Sequence, residues 1–129
     1  MAQLKKNPAK ILVVEDDPDL LNALNIALAS VGFDVDVLLT GKGILENQFV
    51  RPDVFIIDSQ MPDIDGLEIC RFLHSKPNYS AIPVIVISAS QRVEKKAMEA
   101  GATYFIEKPF AVQELVDVIN ETLVSKPGR

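Results

Sequence analysis

The stretch that decides the fold is VFIID, residues Val54–Asp58, in which four apolar residues in a row end in an aspartate. The stretch ILVVEDD at residues 11–17 likewise runs from four apolar residues into acids. A short unbroken apolar run is typical of a β-strand buried on both faces, as in a parallel sheet. Two such strands that end in carboxylates predict one site at which acidic side chains converge.

Strand and helix patterns alternate along the rest of the chain. Asp17 and Pro18 predict a helix start, with the aspartate as N-cap and the proline in the first turn, and Gly32 predicts the end of that helix. Gly101 predicts the end of a later helix in the same way. The predicted strands are residues 11–15, 33–37, 53–57, 84–87 and 103–107, and the predicted helices are residues 18–31, 41–50, 67–73, 92–100 and 112–123.

Five strand–helix pairs predict an α/β fold with right-handed crossovers and a parallel sheet. Ligands of open parallel sheets bind beyond the carboxyl ends of the strands. The residues whose side chains can react or bind a metal fall at those ends: Glu15 with Asp16, Asp58, Ser88 and Lys108. Acids, a hydroxyl and an amine are the parts of a metal-assisted site for a phosphoryl group.

Composition excludes several classes of protein. A chain of 129 residues with 48% hydrophobic and 24% charged residues is typical of one globular domain. Its net charge of −5 argues against a surface that binds nucleic acid directly. We find no apolar run of membrane-spanning length and no secretory signal pattern in residues 1–10. Cys70 is the single cysteine, so an internal disulfide is excluded, and we expect a cytoplasmic protein without membrane partners.

Taken together and in this order, the motifs resemble the receiver domain of bacterial response regulators, the phosphoacceptor half of two-component signalling. The resemblance covers residues 10–124, and leaves an N-terminal extension at 1–9 and a C-terminal tail at 125–129. It implies a flavodoxin-like (βα)5 three-layer sandwich with strand order 2-1-3-4-5. The matching stretches are residues 11–17, Asp58 with Met61-Pro62 and Asp65-Gly66, residues 83–89, Gly101-Ala102 and Lys108-Pro109-Phe110.

The resemblance implies that Asp58 is the phosphoacceptor, because a carboxylate can attack phosphorus and form an acyl phosphate. Glu15 and Asp16 match the acid pair of the family. Carboxylates in one cleft repel each other unless a cation lies among them, and oxygen ligands suit Mg²⁺. The family pattern gives Mg²⁺ the ligands Asp16, Asp58 and the backbone carbonyl of Gln60, with Glu15 acting mainly through water. Asp17 is the helix cap and not a ligand.

Three further residues match positions that respond to the phosphoryl group. The Ser88 hydroxyl would donate to a phosphoryl oxygen, and the Lys108 ammonium would pair first with Asp58 and then with its phosphate. The Lys108-Pro109 bond is usually cis in the family. Phe105 falls at the aromatic switch position three residues before the lysine, although Tyr104 is a competing choice one residue away. Gln60 and Ser90 lie where the family tunes the lifetime of the acyl phosphate.

The resemblance also implies partners. The phosphoryl donor would be a phosphohistidine on a sensor histidine kinase or a histidine phosphotransfer protein, which docks partly on the first helix. A downstream protein, an output domain or a second copy of the chain would bind the face formed by the fourth helix, fifth strand and fifth helix. The chain itself would not be an enzyme beyond self-phosphotransfer and slow autodephosphorylation.

Competing interpretations fit the residues less well. A phosphatase of the haloacid dehalogenase type also uses a strand-end aspartate and Mg²⁺, but it needs a second aspartate where this chain has Gln60. A flavodoxin-like nucleotide or flavin module needs a phosphate-cradling loop where this chain has Glu15-Asp16-Asp17. A degenerate receiver that serves only as a scaffold is disfavoured by the intact set of site residues, Glu15, Asp16, Asp58, Ser88 and Lys108. Taken singly, Asp58 could cap a turn and Lys108 could be a surface lysine.

Overall fold

The computed structural model describes residues 8–125 as a five-stranded parallel sheet between two layers of helices. The strand order is β2-β1-β3-β4-β5, as predicted, and each neighbouring pair is parallel. The flavodoxin-like (βα)5 fold is therefore confirmed. The strands are β1 Lys10–Val14, β2 Asp34–Leu38, β3 Val54–Asp58, β4 Val84–Ser88 and β5 Tyr104–Glu107, and the helices are α1 Pro18–Val31, α2 Lys42–Leu45, α3 Gly66–Ser75, α4 Glu94–Glu99 and α5 Val112–Ser125.

The three central strands β1, β3 and β4 are almost completely buried, which explains their unbroken apolar sequences. Alternate strand residues point to opposite faces of the sheet and so divide the core into two clusters. One cluster lies against α1 and α5, and the other lies against α2, α3 and α4. In the described part of the chain no helix is long and apolar enough to cross a membrane.

Helix ends follow the predicted signals in the best-marked cases. The Asp17 carboxylate accepts hydrogen bonds from the first turn of α1, and Gly32 ends that helix in the left-handed region with φ of 111°. Gly101 ends α4 in the same way, with φ of 108°. Residues 1–7 of the predicted extension and residues 126–129 of the predicted tail lie outside the described residues, and α5 reaches Ser125.

Two predicted helices were wrong in extent. The helix expected over residues 41–50 is only Lys42–Leu45, because Asn47 adopts a left-handed conformation with φ of 58°. The helix expected over residues 92–100 begins instead with a 3₁₀ turn, Gln91–Val93. The Ser90 side chain caps this turn by accepting a hydrogen bond from the Arg92 N–H, and the α-helix proper starts at Glu94.

The start of α3 lies directly on the backbone of Asp58. Asp65 caps the helix, and the Gly66 N–H donates to the Ser59 carbonyl over 3.1 Å. A Cβ atom on Gly66 would overlap the Asp58 carbonyl oxygen. Only glycine permits this approach, which fixes the backbone at the end of β3 against the first turn of α3.

We expect Gly66→Ala to destabilise the protein by about 3 kcal/mol, because the added methyl overlaps backbone atoms that cannot move aside. Gly32→Ala is the matched control, since nothing lies within 4 Å of the place that its Cβ atom would take, and only its positive φ is strained. That strain costs about 1 kcal/mol. Urea unfolding monitored by circular dichroism measures both losses. Equal losses in the two variants would contradict the close approach of α3 to Asp58.

Candidate functional site

Three carboxylates meet at the carboxyl ends of β1 and β3, which are neighbours in the sheet. Glu15 and Asp16 follow β1, and Asp58 ends β3. Glu15 is 1% exposed and Asp58 is 3% exposed, while Asp16 is half-buried. Each residue offers one carboxylate oxygen, and these three oxygens lie within 4.8 Å of one another. The structure therefore brings together the acids that the sequence predicted to converge.

Lys108 supplies the positive charge of the cleft. Its Nζ lies 3.0 Å from Glu15 Oε1 and 3.5 Å from Asp58 Oδ2, so one ammonium contacts the ends of both acidic strands. The Lys108 backbone N–H donates to the Ser88 carbonyl over 2.8 Å, which ties the lysine to the end of β4. The Lys108-Pro109 peptide bond is cis, as the resemblance implied.

The pKa values of Glu15 and Lys108 are shifted by burial and by the charged groups beside them. Burial is the main cause that raises the pKa of Glu15 to about 7, and the neighbouring Asp58 acts in the same direction, against the lowering effects of the Asp17 N–H and Lys108. Burial alone would lower the pKa of Lys108, but its hydrogen bond to Glu15 and the charge of Asp58 outweigh this effect and raise it. Three carboxylates facing one ammonium leave an excess of negative charge.

The donor set in this cleft fits a hard divalent cation. Oxygen atoms are the ligands that Mg²⁺ prefers, and a cation among the carboxylates would offset their mutual repulsion. The Gln60 N–H donates to Asp58 Oδ1 over 3.1 Å, which places the backbone of residue 60 beside the Asp58 carboxylate. The residues present could therefore hold a hard divalent cation such as Mg²⁺.

Ser88 ends β4 and is completely buried. Its Oγ accepts a hydrogen bond from the Ser90 N–H over 3.1 Å, so its hydroxyl oxygen is engaged with its own loop. This single bond connects the serine to the loop that leads into the 3₁₀ turn before α4. The Ser88 hydroxyl can be redirected if a stronger acceptor is formed near Asp58.

Phe105 and Tyr104 lie on opposite faces of the sheet. Phe105 pairs with Val86 in the sheet register and packs against the cluster that faces α2, α3 and α4. Tyr104 packs against the opposite cluster, which faces α1 and α5. Because Ser88 is two residues after Val86, it lies on the same face of the sheet as Phe105. This arrangement favours Phe105 over Tyr104 as the residue that could respond to Ser88.

Two features beside the site were not predicted from the sequence. Ser59, directly after the predicted acceptor, is 4% exposed and lines a cleft of about 670 Å³. Thr40 joins the β2–α2 loop to the β3–α3 loop through a 2.6 Å hydrogen bond to Asp63. A polar residue at a buried strand end was the available signal for Ser59, whereas the Thr40 contact joins residues that no local pattern relates. The cleft is lined by Ser59, Gln60, Met61, Pro62, Asp63, Asp65, Leu67, Val93 and Lys96.

Known proteins resemble this chain over most of its length. The response regulator ArlR of Staphylococcus epidermidis is 35% identical over 122 residues, which cover 92% of this chain and 54% of ArlR. The chain thus spans about half the length of the curated relatives it matches.

Two solved structures illustrate the likeness in fold. The receiver domain of a Pseudomonas aeruginosa sensor histidine kinase, with a magnesium ion coordinated in its active-site cleft, superposes with a TM-score of 0.82 at 26% identity, covering 92% of this chain and 99% of that one. The response regulator TrrA of Thermotoga maritima, in complex with Mg²⁺ and BeF, superposes with a TM-score of 0.79 at 27% identity. The superposition covers 88% of this chain and 97% of TrrA.

The sequence profile of the response regulator receiver domain matches residues 11–120, which include every strand end described above. The acidic cleft, its lysine and the parallel sheet that positions them occupy the region of this match. The chain belongs to the response regulator receiver domain family.

Proposed function

We propose that this chain is the phosphoacceptor of a two-component phosphorelay, and that it takes a phosphoryl group onto Asp58. The observation that carries this proposal is the buried Asp58 carboxylate, which lies 3.5 Å from the Lys108 ammonium and in one cluster with Glu15 and Asp16. A buried carboxylate beside a cation and further acids is a typical setting for reactions at phosphorus. Membership of the receiver family supports the same role.

The donor is a phosphohistidine on a sensor histidine kinase or on a histidine phosphotransfer protein. One Asp58 oxygen forms the new O–P bond while the N–P bond of the donor breaks, and the electron pair of that bond returns to the imidazole nitrogen. Lys108 orients the carboxylate and offsets part of the charge that gathers as the two anions approach. The product is an acyl phosphate on Asp58, and the chain turns over no other substrate apart from its slow autodephosphorylation.

Asp16, Asp58 and the Gln60 backbone carbonyl would hold Mg²⁺, with Glu15 acting mainly through water. When bound, the cation would neutralise charge on the phosphoryl oxygens. The clustering of three carboxylates, of which Lys108 contacts Glu15 and Asp58, supports this ligand set. Gln60 is exposed beside Asp58 and, with Ser90, is placed to influence how long the acyl phosphate lasts.

Phosphorylation would act as a switch. The Ser88 side chain rotates away from the Ser90 N–H and its hydroxyl donates to a phosphoryl oxygen, and Lys108 shifts its contact from the Asp58 carboxylate to the phosphate. The movement of Ser88 opens space on its face of the sheet, into which the Phe105 ring turns. A local change of charge thereby biases an element with two arrangements, which is the general form of such switches.

The altered face would consist of α4, β5 and α5. Met98 on α4 is 44% exposed, so an apolar contact is available there. We propose that a downstream protein, an output domain or a second copy of the chain binds this face, while the kinase docks partly on α1. The net charge of −5 argues against direct nucleic-acid binding, and we propose a cytoplasmic location without membrane partners.

Incubation with Mg²⁺ and acetyl phosphate should add one phosphoryl group to the protein, because Asp58 is the carboxylate placed against Lys108. Intact-mass spectrometry measures the adduct, with EDTA added to a parallel sample. Asp58→Asn should abolish the adduct, and Asp63→Asn should retain it, since Asp63 is an exposed acid of the following loop. An adduct on Asp58→Asn, or none on the unaltered protein, would overturn the proposed acceptor.

Mg²⁺ should stabilise the fold, by about 1.4 kcal/mol at ten times its dissociation constant, because it binds the folded cleft alone. Asp16→Asn should raise the melting temperature in EDTA, since it removes one of three mutually repelling carboxylates, and should reduce the gain from Mg²⁺. Differential scanning calorimetry at several Mg²⁺ concentrations measures both effects.

The matched control is Asp17→Asn, which changes the next acid in the chain. Asparagine caps a helix about as well as aspartate, and Asp17 is outside the carboxylate cluster. Its gain from Mg²⁺ should therefore equal that of the unaltered protein. Equal gains in Asp16→Asn and Asp17→Asn would exclude Asp16 as a ligand.

A further inference from the structure

Ser59 buries a hydroxyl that has no hydrogen-bond partner among the described residues. Its side chain is 4% exposed, and its Oγ is the buried side-chain oxygen within residues 8–125 for which the protein offers no hydrogen-bond partner. The backbone of Ser59 is fully used, because its N–H donates to the Ile87 carbonyl over 2.9 Å and its carbonyl accepts from Gly66. A buried hydroxyl without a partner destabilises the arrangement in which it occurs.

The position of Ser59 relates it to the switch. Asp58 pairs with Ile87 in the sheet register, so the next residues along the two strands, Ser59 and Ser88, lie side by side. Ser59 also lines the 670 Å³ cleft together with Val93 and Lys96, which belong to the segment that begins α4. Ser59 thus follows Asp58 directly and shares a cleft with residues just after the β4–α4 loop.

In the present structure the Ser90 N–H donates to Ser88 Oγ over 3.1 Å. If the Ser88 side chain rotates so that its hydroxyl donates to a phosphoryl group on Asp58, its oxygen moves away from that N–H, which then loses its acceptor. Ser90 is half-buried, and backbone donors that are partly shielded from water seldom remain unpaired, so a replacement acceptor would stabilise the loop in its switched position. Ser59 Oγ is an unengaged oxygen on the adjoining strand end.

We propose that Ser59 is a positioning residue of the switch, whose hydroxyl accepts the Ser90 N–H once Ser88 has turned to the phosphoryl group. This inference rests on the proposed function, since it requires Ser88 to respond to phosphorylated Asp58. The unpartnered hydroxyl destabilises the resting arrangement, and the new hydrogen bond stabilises the switched one. Both effects favour switching, so the removal of the hydroxyl should hold the protein at rest.

The test uses fluoroberyllate with Mg²⁺ as the phosphoryl analogue and isothermal titration calorimetry as the readout. Ser59→Ala should bind fluoroberyllate about tenfold more weakly, the size of effect that one hydrogen bond produces. Its stability in EDTA should be unchanged or higher, because the unpartnered hydroxyl is gone. A purely structural role would change the stability and leave the affinity for fluoroberyllate as it was.

Ser59→Thr and Ser59→Val form a matched pair, since they have the same shape and differ in the hydroxyl. Threonine should bind fluoroberyllate about tenfold more tightly than valine. Equal affinities within this pair, together with unaltered affinity of Ser59→Ala, would overturn the role of Ser59. Failure of the unaltered protein to bind fluoroberyllate would instead overturn the proposed function, so the two failures are distinguishable.

Discussion

The structure depends on one ammonium group that contacts two buried carboxylates. Lys108 lies 3.0 Å from Glu15 and 3.5 Å from Asp58, and these residues end different strands of the sheet. Removing a partner from a buried ion pair leaves an uncompensated charge, which is far more costly than the pair itself. The lysine therefore keeps the acidic cleft together, and its contact with Asp58 is also the contact that phosphorylation would change.

Around this ion pair, the backbone of Asp58, the proposed phosphoacceptor, is held firmly, whereas the nearby Ser88 hydroxyl is held lightly. The Asp58 backbone is fixed by its pairing with Ile87 of β4 and by the close approach of Gly66 from α3. By contrast, the Ser88 hydroxyl is joined to its loop by one hydrogen bond to Ser90. A new anion on Asp58 would therefore act on Ser88 and Lys108 before it could move the acceptor itself.

The strands and the main site residues were predictable because their signals are local. The run Val54–Asp58 is apolar enough for a strand buried on both faces, and parallel strands must bring their carboxyl ends to one edge. The start of α1 was predictable for the same reason, because its signal is the adjacent pair Asp17 and Pro18.

Other features depend on contacts between distant residues. The short α2 results from the left-handed turn at Asn47, a conformation that asparagine permits but does not require. The register of β5 with β4 decides which face of the sheet Phe105 and Tyr104 occupy. That the Ser59 hydroxyl lacks a partner among the described residues becomes visible only when the hydrogen bonds of the fold are known. The periodicity of apolar residues could not predict these features, because it relates only residues that are close in sequence.

Hydrogen exchange measured with and without fluoroberyllate and Mg²⁺ tests most directly whether charge at Asp58 changes the α4–β5–α5 face. We expect exchange to change along the β4–α4 loop, α4 and β5, and to stay unchanged in the α2 region and in Asp58→Asn. Binding of fluoroberyllate with changes confined to the loops around residues 58–62 and 88–90 would contradict the coupling of Asp58 to the α4–β5–α5 face.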